Sequence, residues 1–443
     1  MTQPATCGKR KHMVAPADTP PQLAQHQRPP APQPRRFLLL FMCLLVIGAG
    51  NSMLLAIAPP LVRALNLSDA SIGWIFSLSA LIWVIASPFW GRLSDRAGRK
   101  PIIALGLAAY AVSMSLFGGV TLLGMAGLLT GFGLFMALTL SRSIFGAVGS
   151  ATSPAAQAYV ADHTTRFERT EQLAGLTAAF ALGQAFGPAL CAAIAAKLGL
   201  VFPIFMVAAF AAAAAFVVWR FLPTSAPKPA NASASGGWRE SLALVRDARL
   251  SAYLLYGFAL SIIAGVLVQT FGLFTMDRLG ASGTQGAELI AAGFMVNALA
   301  LLATQLAILP RVHLDPRGLM AWGAGLLAVG VIVQIISPSL GALLVAQAVQ
   351  GIGFGLARPG FTGGASVAVR PEEQGASAGL VVASNGAGFV FSPVAGGVAY
   401  ELWGMNAPLF IALVLLMGML VFALRSRRLR SALTAAPNEP PPA

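Results

Sequence analysis

Long apolar runs with hardly a charged residue alternate with short polar connections along most of the chain. A helix needs about 20 apolar residues to cross a bilayer, and a backbone inside lipid must satisfy its own hydrogen bonds, which excludes open strands. The pattern therefore predicts an all-α integral membrane protein with twelve transmembrane helices. The predicted spans cover residues 37–61, 72–91, 101–122, 131–158, 172–196, 201–222, 252–276, 286–309, 318–337, 341–366, 376–400 and 406–425.

The composition agrees with a protein whose outer surface faces lipid. Charged residues make up 10% of the 443 residues, whereas a soluble domain has about 25%. The hydrophobic share is 57% and the mean hydropathy is +0.75. A soluble protein must cover much of its surface with polar groups that face water, so this composition excludes an ordinary soluble domain.

The positions of the cations predict an orientation with both termini in the cytoplasm. Arg63, Lys197 and Arg278 then lie outside, Arg142 and Arg358 lie within spans, and the other 24 of the 29 cations are cytoplasmic. This distribution follows the positive-inside rule. The net charge of +14 is therefore a topology signal, which favours anionic lipid headgroups as partners of the loops and disfavours nucleic acid.

The ends and the centre of the chain have the composition of connecting segments. Residues 1–36 hold eight prolines and the basic run KRK, which predicts a disordered cytoplasmic tail without a cleavable signal peptide. Two six-helix bundles, 37–222 and 252–425, are joined by a cytoplasmic linker, 223–251, and a second tail covers 426–443. In the linker, WRESLALVRDARL has helical apolar spacing, typical of either an interfacial amphipathic helix or a solvated connection.

The two bundles are predicted to be structural repeats. LNLSDA at 65–70 resembles LGASGT at 279–284, at an offset of 214 positions. Two pseudo-symmetric bundles around a shared cavity support alternating access, in which one half rocks against the other. Four pairs of residues recur at an offset of 205 positions, namely Gly146 and Gly351, Pro154 and Pro359, Gly183 and Gly388, and Pro188 and Pro393.

The stretch GRLSDRAGRK, residues 91–100, concentrates four cations, one acid and two glycines between the second and third spans. In composition, spacing and position it resembles the loop between helices two and three of the major facilitator superfamily. The resemblance implies a conformational latch that holds the outward-facing state and breaks when the cytoplasmic side opens. A topogenic basic loop is the alternative, which would explain the cations but not the glycines or the acid. The implied latch residues are Gly91, Asp95, Arg96, Gly98 and Arg99.

The fourth span contains an embedded arginine. In LTLSRSIFGAVGSATSP, Arg142 stands four residues before Gly146. An arginine at the centre of a lipid-facing helix costs about 2.5–3.5 kcal/mol or more, so it should face a cavity or a partner. The segment resembles the fourth-helix motif of the same family, which implies a role for Arg142 in proton coupling or substrate binding. A structural ion pair is the alternative.

The fifth span narrows the resemblance to 12-helix drug:proton antiporters. GLTAAFALGQAFGP at 175–188 resembles their fifth-helix motif, although Cys191 and Ala192 replace its last two glycines. The second half has the counterpart GAGFVFSPVAGG at 386–397. Glycine spacing of this kind lets helices approach closely, and proline bends a span; generic tight packing is the alternative. The predicted packing and bending residues are Gly146, Gly183, Gly187, Pro188, Gly388 and Pro393.

Carboxylates are missing from the middle of the predicted spans. Many proton-driven exporters of this family carry one in helix one, where this chain has Asn51. A carboxylate moved into a low dielectric has a raised pKa, which suits a proton carrier. None of the 15 acidic residues lies at the middle of a predicted span, so Asp95, Asp162 and Glu288 are the remaining candidates for proton coupling.

Polar side chains inside the spans are the candidates for coupling or substrate contact. Two embedded arginines, Arg142 and Arg358, without a central acid favour an anionic or zwitterionic substrate. Helix–helix contacts are the alternative for each polar residue. The candidates are Arg142, Asn51, Gln184, Gln269, Asn297, Gln347 and Asn385, together with Gln305 and Gln350.

These features predict a secondary active transporter rather than an enzyme. We expect proton-coupled efflux of a small drug-like compound or secondary metabolite, such as a siderophore, by a monomer in a bacterial inner membrane. An uptake symporter or uniporter is the alternative. A membrane receptor or enzyme would need a ligand domain or a polar catalytic cluster, and the chain lacks the P-loop of ATP-driven transporters. Its three cysteines and four histidines are dispersed, so no metal or cofactor is predicted.

Overall fold

The computed structural model describes residues 34–164, 166–224, 244–312, 314–370, 373–426 and 429. Most of the predicted amino-terminal tail, of the linker and of the carboxy-terminal tail therefore lies outside the described residues. The first helix begins at Pro34, three residues before the predicted span. Proline is well suited to the first turn of a helix, because the N–H that it lacks would have no partner there.

Thirteen α-helices follow one another in the described part of the chain, and no strand occurs there. The helices are α1 (Pro34–Ala64), α2 (Ala70–Ala97), α3 (Arg99–Met125), α4 (Gly131–Ala147), α5 (Thr152–His163), α6 (Arg166–Leu198), α7 (Phe202–Phe221), α8 (Ala248–Leu279), α9 (Gly283–Ala303), α10 (Pro316–Ile336), α11 (Leu340–Val367), α12 (Gln374–Trp403) and α13 (Ala407–Arg425).

The predicted all-α membrane fold is confirmed, with longer helices than the apolar runs alone suggest. Eleven described helical segments are long and apolar enough to cross a bilayer, and α6 has 33 residues. Two of the eleven are interrupted. A 3₁₀ turn joins α4 to α5 within Gly131–His163, and a π turn follows α9 within Gly283–Arg311.

The second half begins at Ala248 rather than at residue 252, because an aspartate caps the helix there. The Asp247 carboxylate accepts a hydrogen bond from the Arg249 N–H at 2.8 Å, a typical helix N-cap. The Arg249 side chain donates to the same carboxylate at 2.6 Å and holds the pKa of Asp247 below its ordinary value. The segment 238–250, for which the sequence allows either an interfacial helix or a solvated connection, lies partly outside the described residues. Its described part includes a single helical turn at 244–246 before this cap.

The two halves have separate hydrophobic cores. One core draws almost entirely on residues 40–222, with buried side chains such as Leu54, Ile103 and Leu107. The other draws mainly on residues 244–429, with Phe274 and Leu416 among its members. Each bundle therefore buries most of its apolar surface within itself, and a small third cluster joins Ala56 of α1 to Phe271, Met276 and Ile290 of the second bundle.

The sequence repeat has a counterpart in the helix contacts. A Cβ added at Gly146 in α4 would lie 2.4 Å from the carbonyl oxygen of Ser79 in α2. A Cβ added at Gly351 in α11 would lie 2.3 Å from the carbonyl oxygen of Asn297 in α9. Real Cβ atoms do not approach a backbone so closely, so both crossings require glycine. The same helix crossing is built twice, once in each bundle.

The bundles pack on each other through α2 with α12 and α6 with α9, and α1 also packs on α8 and α9. We call the end of the molecule that carries residues 91–100 and 311–315 the basic face, and the other end the opposite face. Between described residues, the hydrogen bonds and ion pairs that connect the bundles join Arg63 to Asp277, Ala70 to Glu401 and Ser77 to Val394. All three connections lie in the half of the molecule nearer the opposite face.

Tight packing of α6 against α1 makes Gly183 sensitive to substitution. A Cβ at this position would lie 2.2 Å from the Leu45 carbonyl oxygen, so Gly183→Ala must move one backbone from the other. We expect a loss of about 1–3 kcal/mol in stability, as is usual for overpacking, measured by thermal unfolding in detergent. Gly418→Ala is the matched control, because a Cβ at that exposed position in α13 meets nothing within 4 Å. Equal melting of the two variants would contradict this packing.

Candidate functional site

Arg142 is 2% exposed, less than any other cation of the first bundle whose exposure the structure describes. It is the twelfth residue of the interrupted span that begins at Gly131. Its Nη2 donates a hydrogen bond to the side-chain oxygen of Asn51 in α1. The Nε and Nη1 atoms form no hydrogen bond of good geometry with a described residue, although the Tyr110 hydroxyl lies close enough to interact with the guanidinium. The guanidinium therefore retains unused donors in an apolar environment.

Aromatic rings surround this guanidinium. It lies over the ring of Phe145 at 4.6 Å and over the ring of Phe76 at 5.3 Å. The fully buried Tyr110 packs on Phe145, with ring centroids 4.7 Å apart. Cation–π contacts of this kind contribute about 0.5–2 kcal/mol each. No salt bridge between described residues includes Arg142, so its charge is held by ring faces and one amide rather than by a carboxylate.

The repeat-equivalent of Arg142, at the offset of 205, is Gln347 in α11. Gln347 is 4% exposed, and its carbonyl oxygen accepts a hydrogen bond from the Asn297 amide at 3.0 Å. The Arg142 carbonyl oxygen likewise accepts one from the Ser79 hydroxyl, at 3.1 Å. The two positions therefore sit in matching backbone environments but carry different side chains. The cation is a feature of the first bundle alone.

The remaining predicted polar residues are spread over the bundles. Asn385 in α12 accepts a hydrogen bond from the Ser261 hydroxyl in α8 at 2.7 Å. Gln269 is 4% exposed, whereas Gln184 is exposed on α6. The structure thus brings together Arg142 with Asn51 and Asn297 with Gln347. It gives no common contact for Gln184, Gln269 and Asn385.

A second charged cluster lies at the basic face, around Arg99 at the start of α3. Arg99 is 7% exposed and uses its three nitrogens separately. Nε donates to Asp162 at 3.1 Å, Nη1 donates to the Ser94 hydroxyl at 2.6 Å, and Nη2 donates to Asp95. The cluster joins the ends of α2, α3 and α5, all of which belong to the first bundle.

The details of the segment 91–100 differ from the sequence prediction. Gly91 lies inside α2 rather than in a turn, and an added Cβ there would meet nothing within 4 Å. The turn consists of Gly98 alone, whose φ of +92° favours glycine. Arg96 is exposed and forms no ion pair with a described residue. Sequence reasoning expected a longer loop, because the charges hid the continuation of α2 to Ala97.

The other candidates for proton coupling and anion binding are placed as follows. Glu288 is exposed in the second turn of α9, so it lies near the opposite face and not at the centre. Arg358 is exposed on α11, nine residues before the helix ends at Val367. At 1.5 Å per residue, this is about 14 Å from that end. The two arginines therefore do not form a pair at one depth.

Sequence reasoning missed the aromatic partners of Arg142 and the pairing of Arg99 with Asp162. Phe76, Tyr110 and Phe145 surround Arg142, and only Phe145 had a local signal, because residues three apart share a helix face. Asp162 is a candidate for proton coupling from the sequence, but its pairing with Arg99 spans 63 positions. No periodicity within one helix reports such a contact.

Comparison with known proteins identifies the family. The model of the Major Facilitator Superfamily matches residues 40–312 and 312–442. Multidrug resistance protein 1 of Bacillus subtilis is 27% identical over 389 residues, which are 85% of this chain and 92% of that protein. The quinolone resistance protein NorA of Staphylococcus aureus is 22% identical, over 90% of this chain and 98% of its own length.

Solved structures show the same fold. A bacterial homologue of the human lysosomal transporter Spinster, in an inward-facing and unoccupied conformation, superposes with a TM-score of 0.71 at 16% identity, over 92% of this chain and 99% of the other. The human organic anion transporter MFSD10 superposes with a TM-score of 0.62 at 20% identity, over 88% and 99%. Together with the match over both halves, these likenesses show that the chain is a transporter and belongs to the Major Facilitator Superfamily.

Proposed function

We propose that this transporter exports small drug-like compounds or secondary metabolites in exchange for protons. Its similarity to bacterial multidrug and quinolone resistance proteins supports the direction and the kind of cargo. The observation that carries the proposal is the guanidinium of Arg142, buried in the middle of a span without a carboxylate partner among the described residues. A charge kept there at a cost of several kcal/mol marks a functional site in a membrane protein.

Alternating access is the proposed mechanism, with the basic face in the cytoplasm of a bacterium. The concentration of cations on the basic face supports this orientation. The connections between the bundles near the opposite face support a state that is closed to the outside. On the basic side, α5 and α11 do not pack closely on the other bundle, which leaves room for entry from the cytoplasm. Substrate would then leave after the bundles rock about their interface.

The cluster around Arg99 is the proposed cytoplasmic latch. In this state Asp95 pairs with Arg99, and both belong to the first bundle, so the latch does not hold the second bundle. Asp95 and Asp162 are the proposed proton carriers, because both are partly buried carboxylates on the proposed cytoplasmic side, whereas Glu288 lies near the opposite face.

The proposed cargo is anionic or zwitterionic, with an apolar body. Arg142 offers unused N–H donors between aromatic rings, and Arg358 adds a second, exposed cation. The structurally similar human protein MFSD10 is an organic anion transporter, which agrees with such a cargo. A siderophore is one class of compound that would fit. Uptake of a polar solute by the same site is the second candidate function.

Proteoliposomes with an imposed pH gradient test the proposal. We expect a zwitterionic fluoroquinolone or an anionic aromatic carboxylate probe to move against the direction of the proton flow, and to stop moving when a protonophore removes the gradient. Movement with the protons would instead identify an uptake symporter. Probe movement that does not depend on the pH gradient would identify a uniporter. The absence of movement with any probe would reject the proposed cargo.

Asn51→Asp tests the charge preference of the site. Asn51 already contacts Arg142, so an aspartate at this position would give the guanidinium an internal counterion. We expect the apparent affinity for an anionic probe to fall by about tenfold or more, in line with the 1.5–3 kcal/mol of a charged hydrogen bond. Transport assays with an anionic and a cationic probe measure the change, and Ser143→Ala is the control. An unchanged anion affinity would contradict direct use of Arg142.

A further inference from the structure

Two residues of opposite charge meet across the bundle interface at the opposite face. Arg63 lies at the end of α1 in the first bundle, and Asp277 lies near the end of α8 in the second. They are 214 positions apart, which is also the offset between the repeated segments 65–70 and 279–284. Arg63 and Asp277 are therefore equivalent positions of the two repeats.

Equivalent positions of a two-fold repeat can touch only close to the axis that relates them. Identical side chains at such a position would place like charges together, which is unfavourable. Here the two repeats carry an arginine and an aspartate instead. The two repeats therefore differ at the axis, and the contact between their equivalent positions is attractive.

The geometry of this contact is that of a fork shared by two carboxylates. Arg63 donates to Asp277 at 2.5 and 3.0 Å, and to Asp69 of its own bundle at 3.1 and 2.8 Å. The Tyr400 hydroxyl of α12 donates to Asp277 at 2.5 Å. Paired N–H donors on a carboxylate give both strength and direction, so Arg63 is held from both sides of the interface.

A second connection lies beside the first. The backbone N–H of Ala70, at the first turn of α2, donates to the Glu401 carboxylate of α12 at 3.0 Å. A carboxylate at a helix N-terminus is favourable because the unpaired N–H groups carry partial positive charge. A Cβ added at Gly397 would lie 3.2 Å from the Cα of Ala70, so the two helices touch where this bond forms.

We propose that Arg63, Asp69, Asp277 and Tyr400 form an ionic clasp on the pseudo-two-fold axis, which closes the extracellular side and opens in each transport cycle. Partial exposure makes this clasp reversible. The Arg63 and Asp277 side chains are 30% and 36% exposed, and ion pairs with access to water are weak enough to break. A fully buried pair would instead cost several kcal/mol to separate. The direction of opening rests on the proposed function, whereas the clasp itself does not.

Spin-label distances across the opposite face test the clasp. Ser68 and Ser282 are exposed and are also 214 positions apart, so labels on Ser68→Cys and Ser282→Cys report the separation of the two bundles. The three native cysteines, Cys7, Cys43 and Cys191, are replaced by alanine in the background protein. The labelled protein is placed in lipid nanodiscs without substrate. We expect a major short-distance population in the background protein.

Arg63→Gln and Asp277→Asn should each raise the long-distance fraction about two- to fivefold, the size expected for one partly exposed ion pair. The exchange of both charges, Arg63→Asp with Asp277→Arg, should return the fraction toward its starting value. Arg278→Gln is the matched control on the same face, because Arg278 donates to the Ile335 carbonyl within its own bundle. Size-exclusion profiles confirm that each variant is folded.

The same spin-label distance distribution in all variants would overturn the clasp. A long-distance fraction that stays high in the charge-exchanged variant would overturn the pairing of Arg63 with Asp277. Flux measured on the same proteins separates this proposal from the proposed function. An unmodified transporter that moves no probe but responds to Arg63→Gln in the distance measurement would keep the clasp and reject the cargo. Normal flux together with distances that do not respond to Arg63→Gln would keep the proposed function and reject the clasp.

Discussion

Arg142→Ala is expected to abolish gradient-driven transport while the protein remains folded. The guanidinium is 2% exposed and has no carboxylate partner among the described residues, so its removal takes away a charge that is expensive to bury. A residue with a purely structural ion pair would behave in the opposite way, because its loss leaves a buried partner uncompensated. Transport in proteoliposomes and thermal unfolding of the same preparation measure the two effects.

The Arg142→Ala variant should unfold at or above the melting temperature of the unmodified protein. Arg142→Lys is a useful comparison with Arg142→Ala, because lysine keeps the charge but cannot donate from several nitrogens in one plane. The comparison separates the effect of the charge from the effect of the planar donors. Ser143→Ala serves as the control, since the Ser143 hydroxyl donates to the Thr139 carbonyl within its own helix. Full transport by Arg142→Ala, or a large fall in its melting temperature, would make Arg142 a packing residue.

Arg99→Ala is expected to have the second largest effect, a loss of most transport activity with membrane insertion retained. The substitution leaves Asp95 and Asp162 without the cation that holds α2, α3 and α5 together. Two carboxylates that lose a shared, nearly buried partner repel each other and draw in water. Asp95→Asn should give a weaker defect, because an amide still accepts a hydrogen bond from Arg99.

Initial rates of transport, normalised to the amount of inserted protein, measure this effect. Arg92→Gln is the matched control, because it removes the same charge from an exposed position of α2. A topogenic role of the basic segment predicts equal losses for Arg92→Gln and Arg99→Ala, expressed as reduced insertion. A defect confined to Arg99→Ala and Asp95→Asn would assign the effect to the cluster.

The helical character of the chain could be predicted from the sequence, because every membrane-crossing segment must meet the same requirements. Twelve spans were predicted, and the described part of the chain has eleven helical segments that are long and apolar enough to cross a bilayer. A segment that crosses lipid needs about 20 apolar residues and a backbone whose hydrogen bonds are satisfied internally. Both requirements can be recognised within the sequence of that one segment. The ends of the helices could be predicted less well from the sequence. The extension of α2 to Ala97 was hidden by its charged last turn, and the start of α8 depended on the Asp247 cap.

The candidate site residues also differ in how far the sequence alone could identify them. Arg142 was found from its own position, because a cation in an apolar run is a local anomaly. Its rings could not be found in this way, since Phe76 and Tyr110 come from α2 and α3. The clasp shows the limit most clearly. Arg63 and Asp277 each look like an ordinary residue at the end of a span, and only their separation of 214 positions links them.

By itself, the sequence determined that this chain is an all-α membrane protein with glycine and proline positions that recur in its two halves, and its motifs predicted a transporter. Hydropathy, glycine spacing and the family motifs are all carried by neighbouring residues, so they can be recognised without the tertiary structure. The tertiary structure alone decided which charges are paired. It left Arg142 among aromatic rings, joined Arg99 to two acids of its own bundle, and brought Arg63 to Asp277. Pairing depends on how helices from distant parts of the chain are placed against one another, and electrostatic energy depends on that distance and on burial. No single segment of the sequence contains either quantity.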